Sequence, residues 1–164
     1  MSQDKIQGGA LGGVEELYRE VILDHFKAPK NRGTLANANA RADGVNPLCG
    51  DTLAMTALID NGVVTDLKYD GHGCAISQSA ASMLTAVVKG RSIEDIRALA
   101  ETYKGMFGVE EKGAPKPSKF QQDDLGDLIS LEGVRKYPVR IKCALLSANT
   151  LLQAIEDFLN KRGK

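Results

Sequence analysis

Strict alternation of apolar and polar residues marks the clearest element of the chain, a β-hairpin in its first half. The alternation predicts one strand over residues 52–60 and a second over residues 63–70. Asn61-Gly62 between them is typical of a type I′ turn, because both central residues of that turn need positive φ. The predicted inward faces are Leu53, Met55, Ala57 and Ile59 on the first strand and Val63, Thr65, Leu67 and Tyr69 on the second.

Apolar residues three and four apart predict helices on both sides of this hairpin. The predicted helices cover residues 14–26, 75–89, 92–103 and 125–131, and a long final helix begins at Pro138. The predicted buried stripe of the final helix is Ile141, Leu145, Ala148, Leu152, Ile155 and Leu159, with Cys143 off the stripe. These elements predict an α+β fold, a small antiparallel sheet of about three strands with helices packed on one face.

Two segments lack this periodicity. Residues 1–13 are polar and glycine-rich, so we expect a flexible N-terminal tail before a single domain over residues 14–164. Residues 105–124 contain two prolines and few apolar side chains. We expect them to form a mobile loop or a partner-facing insertion.

The composition mainly excludes classes of function. The chain has 164 residues, 43% of them hydrophobic, and a formal net charge of zero, so nothing favours binding to nucleic acid or an anionic membrane. No apolar run is long enough to cross a bilayer and no secretory signal opens the sequence, so we expect a cytoplasmic protein. In that compartment, three cysteines predict metal binding, catalysis or burial rather than structural disulfides.

The candidate chemistry begins at the motif Asn46-Pro47-Leu48-Cys49-Gly50-Asp51. It sets a thiol and a carboxylate two positions apart, on the same side of an extended backbone. Cys74 follows the second strand at the start of a helix, where free N–H groups and the helix dipole favour a thiolate. With Cys143, these residues offer three sulfurs and one oxygen, a donor set that zinc accepts.

Other interpretations of the same residues stay open. Free cysteines are often buried as small hydrophobic residues, and these spacings match no compact zinc finger. His72, two residues before Cys74, is a competing fourth ligand, although an exposed turn histidine is the simpler assignment. We assign His25 to the surface or edge of the first helix, without a role. A nucleophilic cysteine backed by histidine is a weaker alternative.

Four basic residues surround the start of the last helix: Arg135, Lys136, Arg140 and Lys142, here called the basic face. A solvated surface is one interpretation, since helix N-termini do not favour cations. The other is that Arg135, Arg140 and Lys142 support a nearby thiolate or dock an acidic partner surface.

Several short segments, in this order and spacing, resemble the SufU/IscU family, also called NifU-N-like iron–sulfur cluster assembly proteins. They are residues 17–20 and 24–25 on the first helix, then 46–51, 73–77 and 133–144, and the resemblance covers residues 17–158. Two features resemble the SufU branch. Lys142 stands where scaffold members carry a histidine before the third cysteine, and the 105–124 insertion lies between the second and third cysteines.

The resemblance implies a SufE/IscU-like fold and a zinc site made of Cys49, Asp51, Cys74 and Cys143. It implies a zinc-dependent sulfurtransferase in which Cys49 accepts persulfide sulfur from a pyridoxal-phosphate cysteine desulfurase of the SufS type. The sulfur would then pass to a downstream Suf cluster-assembly scaffold. One alternative is that this protein is itself the scaffold, holding transient iron or a [2Fe–2S] cluster with the same ligands. A structural zinc protein without sulfur chemistry is the third hypothesis.

Overall fold

A computed structural model describes residues 2–109 and 119–162. Its elements are α1 (Ser2–Lys27), β1 (Ala40–Asn46), β2 (Asp51–Asp60), β3 (Val63–His72), α2 (Ala75–Val88), α3 (Ile93–Met106), a 3₁₀ segment (Gln122–Lys136) and α4 (Pro138–Arg162). The strands form one antiparallel sheet in the order β1-β2-β3, so the predicted α+β class is confirmed. Within the described residues, no helix is both long and apolar enough to span a membrane.

The β2–β3 hairpin forms where the sequence predicts it. Asn61 and Gly62 have φ values of 51° and 76°, as a type I′ turn requires. The predicted inward residues of β2 are all buried, with Met55 and Ala57 completely inaccessible. Pairing continues to Asn46 opposite Asp51, so the ladder ends at the motif that carries Cys49.

The predicted inward face of β3 is wrong at its beginning because β3 contains a bulge. Ile59 pairs with Val64 while Leu58 pairs with Asp66, which leaves Thr65 as an extra residue. One extra residue reverses which side chains face the core. Val64 is therefore buried and Thr65 is exposed, whereas the predicted phase is right from Leu67 onward.

Helix α1 begins at Ser2, not at residue 14 as predicted, and ends at Lys27, before Pro29. Once a helix is nucleated, each added residue gains a hydrogen bond, so the helix extends through glycines that each cost about 1 kcal/mol relative to alanine. The division into a tail and one domain over residues 14–164 stays a prediction. Within the predicted 105–124 loop, residues 110–118 lie outside the described residues, and α3 and the 3₁₀ segment take up its two ends.

Helix α4 packs against β1, β2 and α2, and this double packing broadens its buried side. The fully buried residues include Cys143, Ser147, Leu151 and Ala154, whereas Ile141, Leu152 and Leu159 of the predicted stripe are only partly buried. The prediction that Cys143 lies off the buried side is therefore wrong. The thiol of Cys143 instead lies in the interior, at the end of α4 that adjoins the β1–β2 loop.

His25 connects three elements and is not a surface residue, which corrects the sequence-based assignment. Only 5% of it is exposed, and its Nε2 lies 2.8 Å from Asp127 Oδ2 in the 3₁₀ segment. Its Nδ1 lies 2.7 Å from Ser82 Oγ on α2, and that hydroxyl also accepts the Lys30 N–H at 2.8 Å. The ring therefore links α1 to both of its neighbours.

We expect His25→Ala to lower the free energy of unfolding by about 2–4 kcal/mol, because it removes two hydrogen bonds and opens a cavity. Denaturant unfolding monitored by circular dichroism measures this loss. His72→Ala is the matched control, since the His72 side chain is exposed at the end of β3, and it should change stability by less than about 0.5 kcal/mol. Equal losses in the two variants would contradict the role assigned to His25.

Candidate metal centre

A tight loop, residues 47–50, carries Cys49 between β1 and β2. The Cys49 N–H donates to the Asn46 carbonyl oxygen at 3.3 Å, which closes the loop. Gly50 has a φ of 69°, a conformation that residues with a Cβ rarely adopt, and it turns the chain into β2 directly after Cys49. Asp51 is then the first residue of β2.

The thiol of Cys143 meets this loop from α4. Its Sγ lies 3.1 Å from Cys49 Sγ, although the two residues are 94 positions apart in sequence. The sulfurs of Cys49 and Cys143 and a carboxylate oxygen of Asp51 all lie within 4.8 Å of one another, and we call these three residues the donor cluster. Cys74 stands at its edge, with its Sγ 3.8 Å from Asp51 Oδ2.

Asp51 uses its two carboxylate oxygens differently. Oδ1 accepts the Cys74 N–H at 2.8 Å, whereas Oδ2 faces the Cys74 sulfur. Burial alone would raise the pKa of Asp51, but hydrogen bonds from the Cys74 backbone and from the side chains of Cys143, Ser77 and Cys74 bring that pKa below its usual value. The buried carboxylate is thus ionised, with one oxygen held by the backbone and the other directed at the thiols.

Cys74 is the N-cap of α2. Its Sγ accepts the Ser77 N–H at 3.5 Å, so the sulfur lies at the first turn of the helix, where the sequence predicts it. Gly73 makes this approach possible, because a Cβ there would lie 2.9 Å from both the Asp51 Cα and the Ser77 hydroxyl oxygen.

The negative charge of the donor cluster favours binding of a cation. Burial and hydrogen bonds with Cys49, Asp51 and Cys74 raise the pKa of the Cys143 thiol far above its ordinary value. Among the residues that the structure describes, no lysine or arginine pairs with Asp51. A bound cation would offset this negative charge and allow the thiols to ionise, and the sulfur and oxygen donors are ones that zinc accepts. The residues therefore fit a zinc ion.

His72 is exposed and lies outside the donor cluster. All four residues of the basic face are exposed. Two uncharged residues in the same segment, Tyr137 and Val139, are also exposed, by 62% and 59%. Leu48, next to Cys49, is also exposed. Charged and apolar side chains thus share one accessible surface around the start of α4.

Sequence reasoning missed Asn46. Its side chain is 6% exposed, and its Nδ2 lies 3.3 Å from Cys143 Sγ and 3.5 Å from Asp51 Oδ2. The sequence feature that could have identified Asn46 is its position as the first residue of the cysteine motif. From there its side-chain amide can reach the same point as the side chains of Cys49 and Asp51.

Comparison with known proteins identifies the family. The family model for the NifU-like N terminal domain matches residues 17–144. The chain belongs to the NifU-like N-terminal domain family. This confirms the SufU/IscU resemblance.

Two curated relatives of this NifU-like domain carry different functions. The zinc-dependent sulfurtransferase SufU of Bacillus subtilis is 39% identical over 142 residues, covering 87% of this chain and 91% of the relative. The iron–sulfur cluster assembly scaffold protein IscU of Streptococcus pyogenes is 37% identical over 151 residues, covering 92% and 90%. The N-terminal NifU-like crystal structure from Brucella abortus has a TM-score of 0.75 at 26% identity, covering 90% of this chain and 98% of that one.

Proposed function

We propose that this protein serves iron–sulfur cluster assembly as a zinc-dependent sulfurtransferase of the SufU branch, accepting persulfide sulfur on Cys49 from a cysteine desulfurase. The observation that carries the proposal is the meeting of Cys49, Asp51 and Cys143 within 4.8 Å, beside Cys74. Similarity to the Bacillus subtilis sulfurtransferase supports the same conclusion.

Cys49, Asp51, Cys74 and Cys143 would hold the zinc ion. When bound, zinc keeps its thiol ligands deprotonated at neutral pH. Asp51 would offer the one hard oxygen among soft sulfurs, with Oδ2 directed at the site while Oδ1 stays on the Cys74 N–H.

Cys49 is the sulfur best placed for transfer. Cys143 is completely buried, whereas Cys49 and Cys74 are both half-buried. Of these two, Cys49 lies on the 47–50 loop, while the Cys74 sulfur caps the first turn of α2. The Cys49 thiolate attacks the outer sulfur of the donor persulfide. The donor S–S bond breaks, its inner sulfur leaves with the electron pair as a thiolate, and a new S–S bond forms on Cys49. One persulfide replaces another, so no external oxidant or reductant is needed.

The accessible surface around the site supports a protein partner. Arg135, Arg140 and Lys142 offer positive charge, and the exposed Leu48 and Val139 offer apolar contact. Interfaces combine such apolar centres with charged rims that guide association. We propose that this surface docks a pyridoxal-phosphate cysteine desulfurase of the SufS type, and that the sulfur then passes to a downstream Suf scaffold.

Service as the cluster scaffold is the second candidate function. The Streptococcus pyogenes relative is named as one, and thiolate ligands also hold [2Fe–2S] clusters. Lys142, however, is exposed and stands where scaffold members of the family carry a histidine, a common metal ligand, beside the third cysteine. This observation favours sulfur transfer.

The test combines metal analysis with a desulfurase assay. We expect one zinc ion per chain, faster turnover of a SufS-type desulfurase when the protein is added, and a persulfide on Cys49 in mass spectra. Absence of both zinc and stimulation would contradict the proposal. A stable cluster, formed by anaerobic reconstitution and transferred intact to an apo-protein, would favour the scaffold function instead.

A further inference from the structure

We propose that Asn46 is a positioning residue that favours Cys49 over Cys143 as the reactive sulfur, because its amide donates to the sulfur of Cys143. The inference rests on the proposed function, since it explains why Cys49 and not the adjacent Cys143 accepts the sulfur. It concerns a residue outside the ligand set.

The position of Asn46 allows it to contact two donors at once. It is the last residue of β1 and faces Asp51 across the strand pair, with its side chain almost completely buried. Its Nδ2 lies 3.3 Å from Cys143 Sγ and 3.5 Å from Asp51 Oδ2. A primary amide carries two N–H groups, so one can serve the sulfur and the other the oxygen.

The three sulfurs differ in the N–H donors they receive. Cys143 Sγ accepts from the Asn46 amide, and Cys74 Sγ accepts from the Ser77 backbone at 3.5 Å. Within residues 15–109 and 119–162, the Cys49 sulfur receives no N–H donor, and it contacts the Cys143 sulfur at 3.1 Å. Within this part of the chain, two of the three sulfurs therefore accept an N–H donor, whereas the Cys49 sulfur has only the Cys143 sulfur as its partner.

An N–H donor makes a thiolate a poorer nucleophile, because the bond stabilises the lone pair that an attack would use. Attack by Cys143 or Cys74 must weaken such a bond, whereas attack by Cys49 does not. The same amide also keeps the Cys143 sulfur and the Asp51 oxygen in place when Cys49 moves out to react. Asn46 thereby favours attack by Cys49 over attack by Cys143, while the Ser77 N–H acts on Cys74.

Site-resolved alkylation tests this selection. The zinc-loaded protein is treated with iodoacetamide, and the rate at each cysteine is read from peptide masses. In the wild type, Cys49 should react first. In both Asn46→Ala and Asn46→Leu, the rate at Cys143 relative to Cys49 should rise about tenfold, with Cys74 unchanged. Leucine has about the volume of asparagine but no side-chain N–H groups. The leucine variant therefore removes the hydrogen bond to Cys143 while still covering the Cys143 sulfur from the reagent.

Asn39→Ala is the matched control. This asparagine precedes the other end of β1, and its side chain bonds the Ile59 backbone at 2.8 Å through both donor and acceptor. Its removal should destabilise the sheet yet leave the alkylation ratio at its wild-type value.

A spectroscopic readout uses cobalt(II) alone in place of zinc. Loss of an N–H···S bond raises the energy of the sulfur lone pair, so the thiolate-to-cobalt absorption should move to longer wavelength in both Asn46 variants and stay fixed in Asn39→Ala.

Unchanged alkylation ratios and cobalt spectra in both Asn46 variants would overturn the inference, as would an effect in Asn46→Ala that Asn46→Leu does not share. If the wild type binds no zinc or Cys49 accepts no persulfide, the proposed function itself fails.

Discussion

Cys49→Ala is expected to abolish acceptance of persulfide sulfur, lowering its rate by about a thousandfold or more, because the variant lacks the attacking thiolate. The remaining cysteines are expected to substitute poorly, since Cys143 is buried with its sulfur on the Asn46 amide and the Cys74 sulfur accepts the Ser77 N–H at the start of α2. Mass spectra of the protein after reaction with a loaded desulfurase measure the transfer. Turnover of the desulfurase should fall to its unstimulated rate.

Leu48→Ala is the control for this variant. Leu48 is 69% exposed on the same loop, so its truncation should preserve the thiol, the metal site and the fold. It should leave acceptance within about tenfold of wild type, the range expected for loss of one apolar contact to a partner. Full acceptance by Cys49→Ala would remove Cys49 from the mechanism.

Asp51→Ala is expected to lower zinc affinity by more than about a hundredfold, a loss at least as large as those seen when supporting residues around metals are removed. The variant loses the oxygen donor and also leaves the partly buried Cys74 N–H without its acceptor. Competition against a chromophoric chelator measures the affinity. Unfolding of the metal-free forms separates the structural loss from the metal loss.

Asp70→Ala is the matched carboxylate control. Asp70 lies near the end of β3, 55% exposed, and its carboxylate is 3.6 Å from Arg32. Exposed ion pairs contribute about 0–1 kcal/mol, so stability should change little and zinc affinity should not change. Wild-type zinc affinity in Asp51→Ala would contradict the assigned donor set.

The elements that the sequence predicts correctly are those with local causes. Asn61-Gly62 determines its turn through backbone conformation, Ser92 caps α3 by accepting the Asp95 N–H, and Pro138 begins α4. Each of these depends on residues within one turn of the chain, and the α+β class follows from their order.

The features that the sequence misses depend on packing between distant segments. The bulge at Thr65 changes the phase of β3, and the packing of α4 on both sheet and helix places Cys143 inside. The burial of His25 requires Ser82 and Asp127 from two other elements. For the candidate site, the motif around Cys49 predicts a donor pair, but the 3.1 Å approach of Cys143 depends on the folded chain.

The 94 positions between Cys49 and Cys143 have a consequence for biosynthesis. On the ribosome, the loop cysteine emerges long before the final helix is made, so the nascent chain offers incomplete sets of donors throughout that interval. In the proposed zinc site, tight metal binding must await the packing of α4 against the sheet, because α4 supplies Cys143. A chain truncated before α4 would lack Cys143 and is expected to bind the proposed zinc ion only weakly.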